Sequence, residues 1–343
     1  MTWRYTVTDP RVRVALIGAG TMANTYHYPS LASFPDVELV AICDLIQEKA
    51  RETARRLNIP AERVYADYKK MLADVEPRVV YVLMPPQYLY EPAMYALKQG
   101  RHVFVEKPPA LTTNQARMLA YTAGEHRCVT MTGFQRRFIP AVTELRRRVE
   151  ERGPIHFAEV AFLKATSNLT TPAGFYDGAI DPLTSDGIHA VDNLRWLCGG
   201  DVVEVHADVR QRYIPGPVPN SFFATVAFST GAVGTVHYNT VTGRRIFRAE
   251  FHGQNVTGYV DADRESFVAA DNHEPETTSS AEFGRSVLRP GEELRPYHWL
   301  GFWHESRHFI DCVKQGRQPS SHFADAVKSM ELVERILQAR ART

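Results

Sequence analysis

The sequence contains few cysteines, and none of them is spaced for a zinc knuckle or a dithiol redox centre. Only four occur in 343 residues, at Cys43, Cys128, Cys198 and Cys312. Both kinds of centre need two cysteines a few residues apart. Cys43 and Cys128 lie inside apolar runs, which predicts buried free thiols in a reducing compartment. The cytoplasm is the predicted location.

Long apolar runs and an excess of charge of one sign are also missing. With 40 basic and 39 acidic residues, the formal net charge is +1. This balance favours neither nucleic acid nor an anionic membrane as a partner. No apolar run approaches the length of a membrane span, and residues 1–5 lack the apolar core of a signal peptide. We therefore expect neither nucleic acid nor a membrane as a partner.

The length predicts two domains. A chain of 343 residues, 44% of them hydrophobic, exceeds what one hydrophobic core usually serves. The first predicted domain, residues 10–133, alternates apolar runs with helix-compatible segments, which is typical of a doubly wound parallel sheet. Its strands are predicted at residues 12–17, 37–43, 79–84, 103–105 and 129–132, and its helices at 21–33, 45–57, 91–99 and 114–125.

The second predicted domain, residues 134–343, has a different pattern. Short β-rich segments follow one another with short turns between residues 155 and 260, which predicts an α/β domain with a large, mainly antiparallel open sheet. One helix is predicted at 186–197, a long surface loop at 261–297, and two closing helices near 300–314 and 323–340.

A glycine-rich turn follows the first predicted strand. Gly18, Gly20 and Ala23 fit the pattern Gly-x-Gly-x-x-Ala between a strand and a helix. In a dinucleotide fold the first glycine permits the tight turn, the second lets the backbone approach a pyrophosphate, and the small third residue lets the helix pack on the strand. Thr21 and Met22 open the helix whose N–H groups would face the phosphates.

Asp44 strengthens this signal, because it closes the second predicted strand 24 residues after Gly20. A carboxylate there can accept both hydroxyls of an adenosine ribose. The same charge would repel a 2′-phosphate at about 4 Å by roughly 4 kcal/mol in an effective dielectric of about 20. No basic residue at 45–47 offsets this repulsion, so NAD(H) is predicted rather than NADP(H). The alternative is an aspartate that only caps the next helix.

Lys107 lies between an apolar run and two prolines. A short apolar run closed by prolines predicts a buried strand with a rigid turn at its carboxyl end. Open α/β sheets bind ligands at the carboxyl ends of their strands. Together with the glycine turn, this position predicts a lysine ammonium aimed at a reacting oxygen.

A competing motif lies near the end of the chain. His304, Glu305 and His308 match the His-Glu-x-x-His of zinc peptidases, in which both histidines bind metal and the glutamate is the base. No third ligand stands at the expected spacing, since the next histidine is His322. The surrounding aromatic residues are typical of a packing helix. No metal is predicted.

These motifs together resemble the Gfo/Idh/MocA oxidoreductase family over about residues 11–343. The matching segments are residues 18–23, Asp44, 96–108, 133–138 and 187–197. The Glu-Lys-Pro run and the Gly-x-His-x-x-Asp helix are specific when found together. The resemblance implies an amino-terminal Rossmann domain and a carboxy-terminal α/β domain whose open sheet forms a homodimer or homotetramer. It also implies a sugar, sugar derivative or cyclitol as substrate.

The resemblance also assigns roles to residues. The family's lysine, which touches nicotinamide ribose and a substrate hydroxyl, corresponds to Lys107. Its helix histidine, frequently the proton acceptor, corresponds to His189. The other implied contacts are Pro85 and Glu106 with the cofactor, and Gln135 and Arg137 with the substrate. For Arg136 and Arg137, a basic solvated turn or an interdomain ion pair is the alternative.

The chemistry supports these assignments. Oxidation of a secondary alcohol removes a hydride, which needs a nicotinamide at close range, and a proton, which needs a base with a pKa near neutrality. Histidine is the side chain with such a pKa, and an ammonium at the same oxygen stabilises a developing alkoxide. We therefore predict an NAD-dependent dehydrogenase or reductase in which Lys107 polarises the oxygen and His189 is the general acid or base.

The sequence departs from the family at two places. Many relatives carry aspartate four residues before the helix histidine, where this chain has Ser185, with Asp186 next to it. Either Asp186 supplies the carboxylate, or Ser185 contacts a different substrate group. Many relatives also have a histidine after the fourth strand, where residues 84–90 of this chain have none. Two other functions stay open: NAD-dependent glycoside cleavage by transient oxidation, and a non-catalytic NAD-binding sensor.

Overall fold

The structure, a computed structural model, describes residues 11–165, 176–213 and 218–339. They form two compact units. Of the described residues, the first contains 11–110, 114–133 and 305–324, and the second contains 111–113, those between 134 and 304, and 325–339.

This division differs from the predicted contiguous boundary after residue 133, because residues 305–324 belong to the first unit. Two contacts explain their placement. The backbone N–H of Thr132 donates to the carbonyl oxygen of Ser321 at 2.9 Å. Arg307 pairs with Asp36 at 2.7 Å.

The first unit is built on a six-stranded sheet in the order β3-β2-β1-β4-β5-β6, in which each neighbouring pair is parallel. The strands are β1 (Val12–Ile17), β2 (Val37–Cys43), β3 (Val64–Tyr65), β4 (Val79–Val82), β5 (His102–Glu106) and β6 (Thr130–Gly133). The helices are α1 (Tyr28–Ala32), α2 (Gln47–Arg56), α3 (Tyr68–Val75), α4 (Pro86–Lys98) and α5 (Thr113–Glu125).

The central strand β4 shows why the sequence pattern was informative. All of its residues are buried, since helices cover both faces of a doubly wound parallel sheet. In the sequence such strands appear as continuous apolar runs. The predicted doubly wound sheet is confirmed. The strand order reverses between β1 and β4, which is the position where such folds bind nucleotides.

The second unit is built on an eight-stranded sheet in the order β14-β13-β12-β11-β7-β10-β9-β8. The strands are β7 (Phe157–Ala165), β8 (Val202–Arg210), β9 (Ser221–Phe228), β10 (Val233–Asn239), β11 (Val241–Gly253), β12 (Val256–Asp261), β13 (Glu265–Ala270) and β14 (Glu276–Ser279). The later helices are α6 (Pro140–Glu150), α7 (Ile188–Cys198), α8 (Pro296–Trp299), α9 (Phe302–Gln315) and α10 (Phe323–Ala339).

This sheet is mainly antiparallel, as predicted, with β7 and β10 paired in parallel. Along β9 every second residue from Phe222 to Phe228 is buried, and α6 and α7 pack on the sheet. The alternate residues of β9 and β10 are more exposed and include Phe223 and Val233. The homodimer or homotetramer expected through this sheet stays a prediction.

The expected surface loop at 261–297 is wrong, because it contains β13 and β14, and α8 begins at Pro296. β14 is the edge strand of the sheet and is polar throughout, whereas β13 pairs with both β12 and β14 and lies one strand inside the edge. Among the described helices, none combines the length and the apolar composition needed to cross a membrane.

Candidate active site

The parallel sheet brings several predicted residues to one edge. Gly18, Asp44 and Leu83 directly follow β1, β2 and β4, and Lys107 directly follows β5. Because the strands are parallel, their carboxyl ends meet at the same edge of the sheet. Pro85 also lies there, immediately before α4. The glycine turn and the lysine therefore lie at the same edge of the sheet in the first unit.

Gly18 makes the tight turn that the sequence predicts. Its φ is +100°, and a Cβ atom there would lie 2.3 Å from the carbonyl oxygen of Leu83. Its N–H donates to the carbonyl oxygen of Cys43 at 2.8 Å. The hydroxyl of Tyr28, which is fully buried, donates to the carbonyl oxygen of Gly18. This brace by Tyr28 was not predicted, since nothing in the sequence joins it to the turn.

Gly20 has open space where Gly18 has none. A Cβ atom on Gly20 would meet no atom within 4 Å among the described residues. Thr21 and Met22 are exposed beside it, at the beginning of the helical segment. An open backbone surface at a helix amino terminus fits the pyrophosphate of a dinucleotide.

Asp44 makes two contacts within the protein. Its Oδ1 accepts the backbone N–H of Ile46, the residue that precedes α2, at 2.7 Å. Its Oδ2 accepts the backbone N–H of Ala19 at 2.7 Å and so ties the glycine turn to the end of β2. A carboxylate has further lone pairs for ribose hydroxyls, so both contacts are compatible with the predicted role.

Alanine substitutions at the two glycines should have opposite effects. Gly18→Ala forces a side chain into positive φ and against Leu83, and we expect it to lower the free energy of unfolding by at least about 1–2 kcal/mol. Gly20→Ala should leave stability nearly unchanged and weaken NAD binding by more than about tenfold, or about 1.4 kcal/mol. Thermal unfolding without NAD and calorimetric titration with NAD measure the two effects. Unaltered NAD affinity in Gly20→Ala would contradict this assignment.

Glu106 is the last residue of β5, and Lys107 follows it. Glu106 Oε2 accepts the backbone N–H of Lys107 at 2.9 Å, and Oε1 lies 2.7 Å from His27 Nε2. Both carboxylate oxygens of Glu106 are thus engaged inside the first unit, which leaves its predicted cofactor contact as a prediction. Lys107 is half-buried.

His189 lies in the first turn of α7, in the second unit. It is 5% exposed, and its ring meets Phe162 edge-on with the ring centres 6.1 Å apart. A wide π turn, Leu183–Gly187, precedes the helix and carries Ser185 and Asp186. Such turns are frequent at functional sites.

Ser185 and Asp186 have different surroundings. Ser185 is fully buried. The Asp186 carboxylate lies 2.5 Å from Lys164 Nζ on β7. The structure therefore brings Asp186 together with a lysine that the sequence analysis did not single out.

The two adjacent arginines also differ. Arg137, predicted to contact substrate, is 2% exposed and donates from Nε and Nη2 to Asp192 at 2.7 and 2.5 Å. Its Nη2 also pairs with Asp325 at 2.7 Å. These carboxylates raise the pKa of Arg137 despite its burial. The contacts favour a structural role for Arg137 over the predicted substrate contact.

Arg136 lies between two aromatic rings instead. Its guanidinium carbon is 4.4 Å from the ring centre of Phe162 and 4.1 Å from that of Phe247. Arg136 is 3% exposed, and its Nε has no hydrogen-bond partner within the described residues. Burial, and then the charge of Arg245, lowers the pKa of Arg136 to about 9. A buried cation without a direct carboxylate partner among the described residues is a stronger candidate for a substrate contact.

Two buried amides mark the same region of the second unit. The side-chain oxygen of Gln135, a predicted substrate contact, has no hydrogen-bond partner among the described residues. Neither amide atom of Asn193 has one there, although Asn193 is fully buried. Buried polar atoms normally find partners, so such exceptions mark candidate ligand contacts. Asn193 follows His189 by one helical turn, a spacing that could have identified it.

The residues of the zinc-like motif have other surroundings. Glu305 faces His27, with 3.8 Å between Glu305 Oε1 and His27 Nδ1. His308 Nε2 accepts the backbone N–H of Ser320 at 3.4 Å. Burial lowers the pKa of His304 to about 4. Within the described parts of the chain, no three His, Cys, Asp or Glu side chains are grouped to hold a metal ion.

Comparison with known proteins agrees with this architecture. Residues 12–134 match the oxidoreductase family with an NAD-binding Rossmann fold, and residues 145–257 match the GFO/IDH/MocA C-terminal domain. The chain is 31% identical over 248 residues to D-glucoside 3-dehydrogenase of Escherichia coli (strain K12), covering 66% of this chain and 70% of that protein. It is 26% identical over 334 residues to scyllo-inositol 2-dehydrogenase (NAD(+)) of Bacillus subtilis (strain 168), covering 94% and 92%.

A solved structure, GenD2 from gentamicin A biosynthesis in complex with NAD, superposes with a TM-score of 0.80 at 26% identity, covering 99% of this chain and 97% of that one. Fold, glycine turn and relatives together define an NAD-dependent oxidoreductase. The chain belongs to the Gfo/Idh/MocA family, and its first unit is the NAD-binding Rossmann domain. The predicted family, the predicted dehydrogenase or reductase class and the predicted cofactor, NAD, are confirmed.

Proposed function

We propose that the protein transfers a hydride between NAD and a secondary alcohol or ketone of a sugar, sugar derivative or cyclitol. The observation that carries this proposal is the position of Lys107 at the same edge of the parallel sheet as the Gly18–Gly20 turn. An ammonium beside a bound dinucleotide has a substrate oxygen as its natural partner. The glucoside and inositol dehydrogenases among the relatives support the substrate class.

Bound NAD would supply the hydride acceptor or donor. Residues of the chain polarise the substrate oxygen and transfer the proton. Lys107 polarises the substrate oxygen and stabilises its negative charge. His189 takes the hydroxyl proton in oxidation and returns it in reduction. The edge contact with Phe162 restrains the orientation of the His189 ring.

The proposed substrate contacts lie in the second unit. We assign Gln135 and Arg136 to the substrate, because both are buried and retain hydrogen-bonding atoms without partners among the described residues. Ser185 is the other assigned contact. Asp186, paired with Lys164, fixes the π turn in front of His189. In this proposal Asp186 orients the histidine, and Ser185 contacts a substrate hydroxyl.

The test is absorbance at the NADH band across a panel of sugars, sugar acids, cyclitols and nucleotide sugars. We expect NADH to form with at least one of them, and to be consumed when the matching ketone is supplied. Product formation from a glycoside without net NADH would favour glycoside cleavage instead. Tight NAD binding without turnover of any compound would favour the sensor.

A further inference from the structure

Three ionisable side chains form a row inside the first unit, behind Lys107. Glu305 Oε1 lies 3.8 Å from His27 Nδ1, and His27 Nε2 lies 2.7 Å from Glu106 Oε1. Glu106 Oε2 in turn accepts the backbone N–H of Lys107 at 2.9 Å. His27 and Glu305 are both 0% exposed. The row therefore runs from the buried helix α9 to the backbone of Lys107.

Burial of the Glu305 carboxyl at this place is energetically unfavourable. Neither of its carboxylate oxygens makes a hydrogen bond within the described residues. Burial, and then the charge of Glu106, holds the pKa of Glu305 well above its usual range. Because burial without a partner disfavours the charged form of a carboxyl, the neutral form of Glu305 is favoured, and that form carries an O–H donor. Tyr81 is another ionisable group near it, since the charge of Glu305 acts on the Tyr81 hydroxyl.

The Glu106 carboxylate decides how His27 is protonated. A carboxylate only accepts, so Glu106 Oε1, 2.7 Å from His27 Nε2, places the ring proton on Nε2. Glu305 lies on the Nδ1 side of the ring at 3.8 Å, a contact too long for a hydrogen bond, so it acts on the ring through packing and electrostatics. The His27 ring also meets Phe104 edge-on, with the ring centres 5.4 Å apart, so it has little freedom to turn.

Sequence position explains how the row forms. His27 ends the π turn Ala23–His27 that follows the glycine turn, and Glu106 ends β5. Glu305 comes from the segment that returns to the first unit. One row of contacts thus joins the helix behind the glycine turn to the strand that carries the lysine.

We propose that Glu305 and His27 are positioning residues for Lys107: they hold Glu106 in the orientation that accepts the Lys107 N–H and so fix the lysine at the end of β5. This role extends the proposed function, in which Lys107 polarises the substrate oxygen. Misplacement of a reacting group by about 1 Å can cost on the order of 100-fold in rate.

The variant Glu305→Leu separates positioning from stability. Leucine has no buried polar atom to desolvate, so stability should stay equal to that of the wild type or rise. Turnover should nevertheless fall by roughly 10- to 100-fold. Glu305→Gln keeps a donor toward His27 Nδ1 and should recover most of the lost turnover. Gln315→Leu, at the exposed end of the same helix, is the matched control.

Two measurements need no substrate, so they distinguish failure of this proposal from failure of the proposed function. Nitrogen NMR of the histidine rings should show the Nε2–H tautomer for His27 in all three proteins, with an Nδ1 resonance that shifts in Glu305→Leu and not in Glu305→Gln. Mass spectrometry measures the rate of lysine acylation, with Lys98 as internal reference. The rate at Lys107 should change several-fold in Glu305→Leu and stay unchanged in Glu305→Gln. An Nδ1–H tautomer in the wild type would overturn the proposal, as would Lys107 labelling that is identical in all variants.

Discussion

Lys107→Met is expected to lower turnover by roughly 100- to 1000-fold while NAD affinity stays nearly unchanged. The size of the loss follows from the role of the ammonium, which stabilises the charge that develops on the substrate oxygen. Methionine fills a similar volume and keeps the backbone N–H that Glu106 accepts at 2.9 Å. The substitution therefore removes the charge and leaves the end of β5 in place.

Steady-state kinetics with a substrate from the panel, together with an NAD titration, measure both effects. Lys98→Met, at the exposed end of α4 in the same unit, controls for the loss of a positive charge. It should behave as the wild type in both measurements. Turnover of Lys107→Met equal to that of Lys98→Met would remove Lys107 from the reaction. Equal loss of turnover and of NAD binding would assign it to the cofactor alone.

The largest effect on stability is expected at Asp192. This carboxylate accepts two hydrogen bonds from Arg137 and one from the Ser329 hydroxyl at 2.7 Å. Asp192→Ala leaves the buried guanidinium of Arg137 with Asp325 as its remaining carboxylate. Removing one partner of a buried ion pair costs about 3–5 kcal/mol, because the other charge stays buried and less compensated. Chemical denaturation measures the loss.

Two further variants complete this experiment. Arg147→Met removes a guanidinium whose ion pairs with Glu144 and Glu151 lie on the exposed face of α6, and stability should change little. The double variant Arg137→Met with Asp192→Leu removes both buried charges and should recover much of the stability lost in Asp192→Ala. A cost for Asp192→Ala no larger than that of Arg147→Met would show that the buried pair is not important to the fold.

The sequence was most informative where an element is determined by its own residues. Strands such as β4 are buried on both faces, so they read as apolar runs. The glycine turn was identifiable because Gly18 needs both positive φ and the absence of a Cβ atom. By contrast, β14 at the sheet edge is short and polar, and most residues of the neighbouring β13 are only partly buried, so both carry little of this signal.

The site was harder to predict where partners lie far apart in the chain. Arg136 and Arg137 are adjacent in the sequence, but only Arg137 pairs directly with carboxylates among the described residues. Its partners, Asp192 and Asp325, are 55 and 188 residues away. His27 and Glu106 are 79 residues apart, and no local pattern joins them. In the sequence Glu305 belongs to a zinc-like motif, whereas in the fold it lies beside His27 and near Glu106.

The return of residues 305–324 to the first unit has a consequence for biosynthesis. The NAD-binding domain begins near the amino terminus, yet its last segment is made only after the β-strands of the second unit. A ribosome must therefore translate the strands of the second unit before this domain can be completed. Because that segment also carries Arg307, a nascent chain that ends before it contains the cofactor turn and the lysine but leaves Asp36 without its Arg307 ion pair.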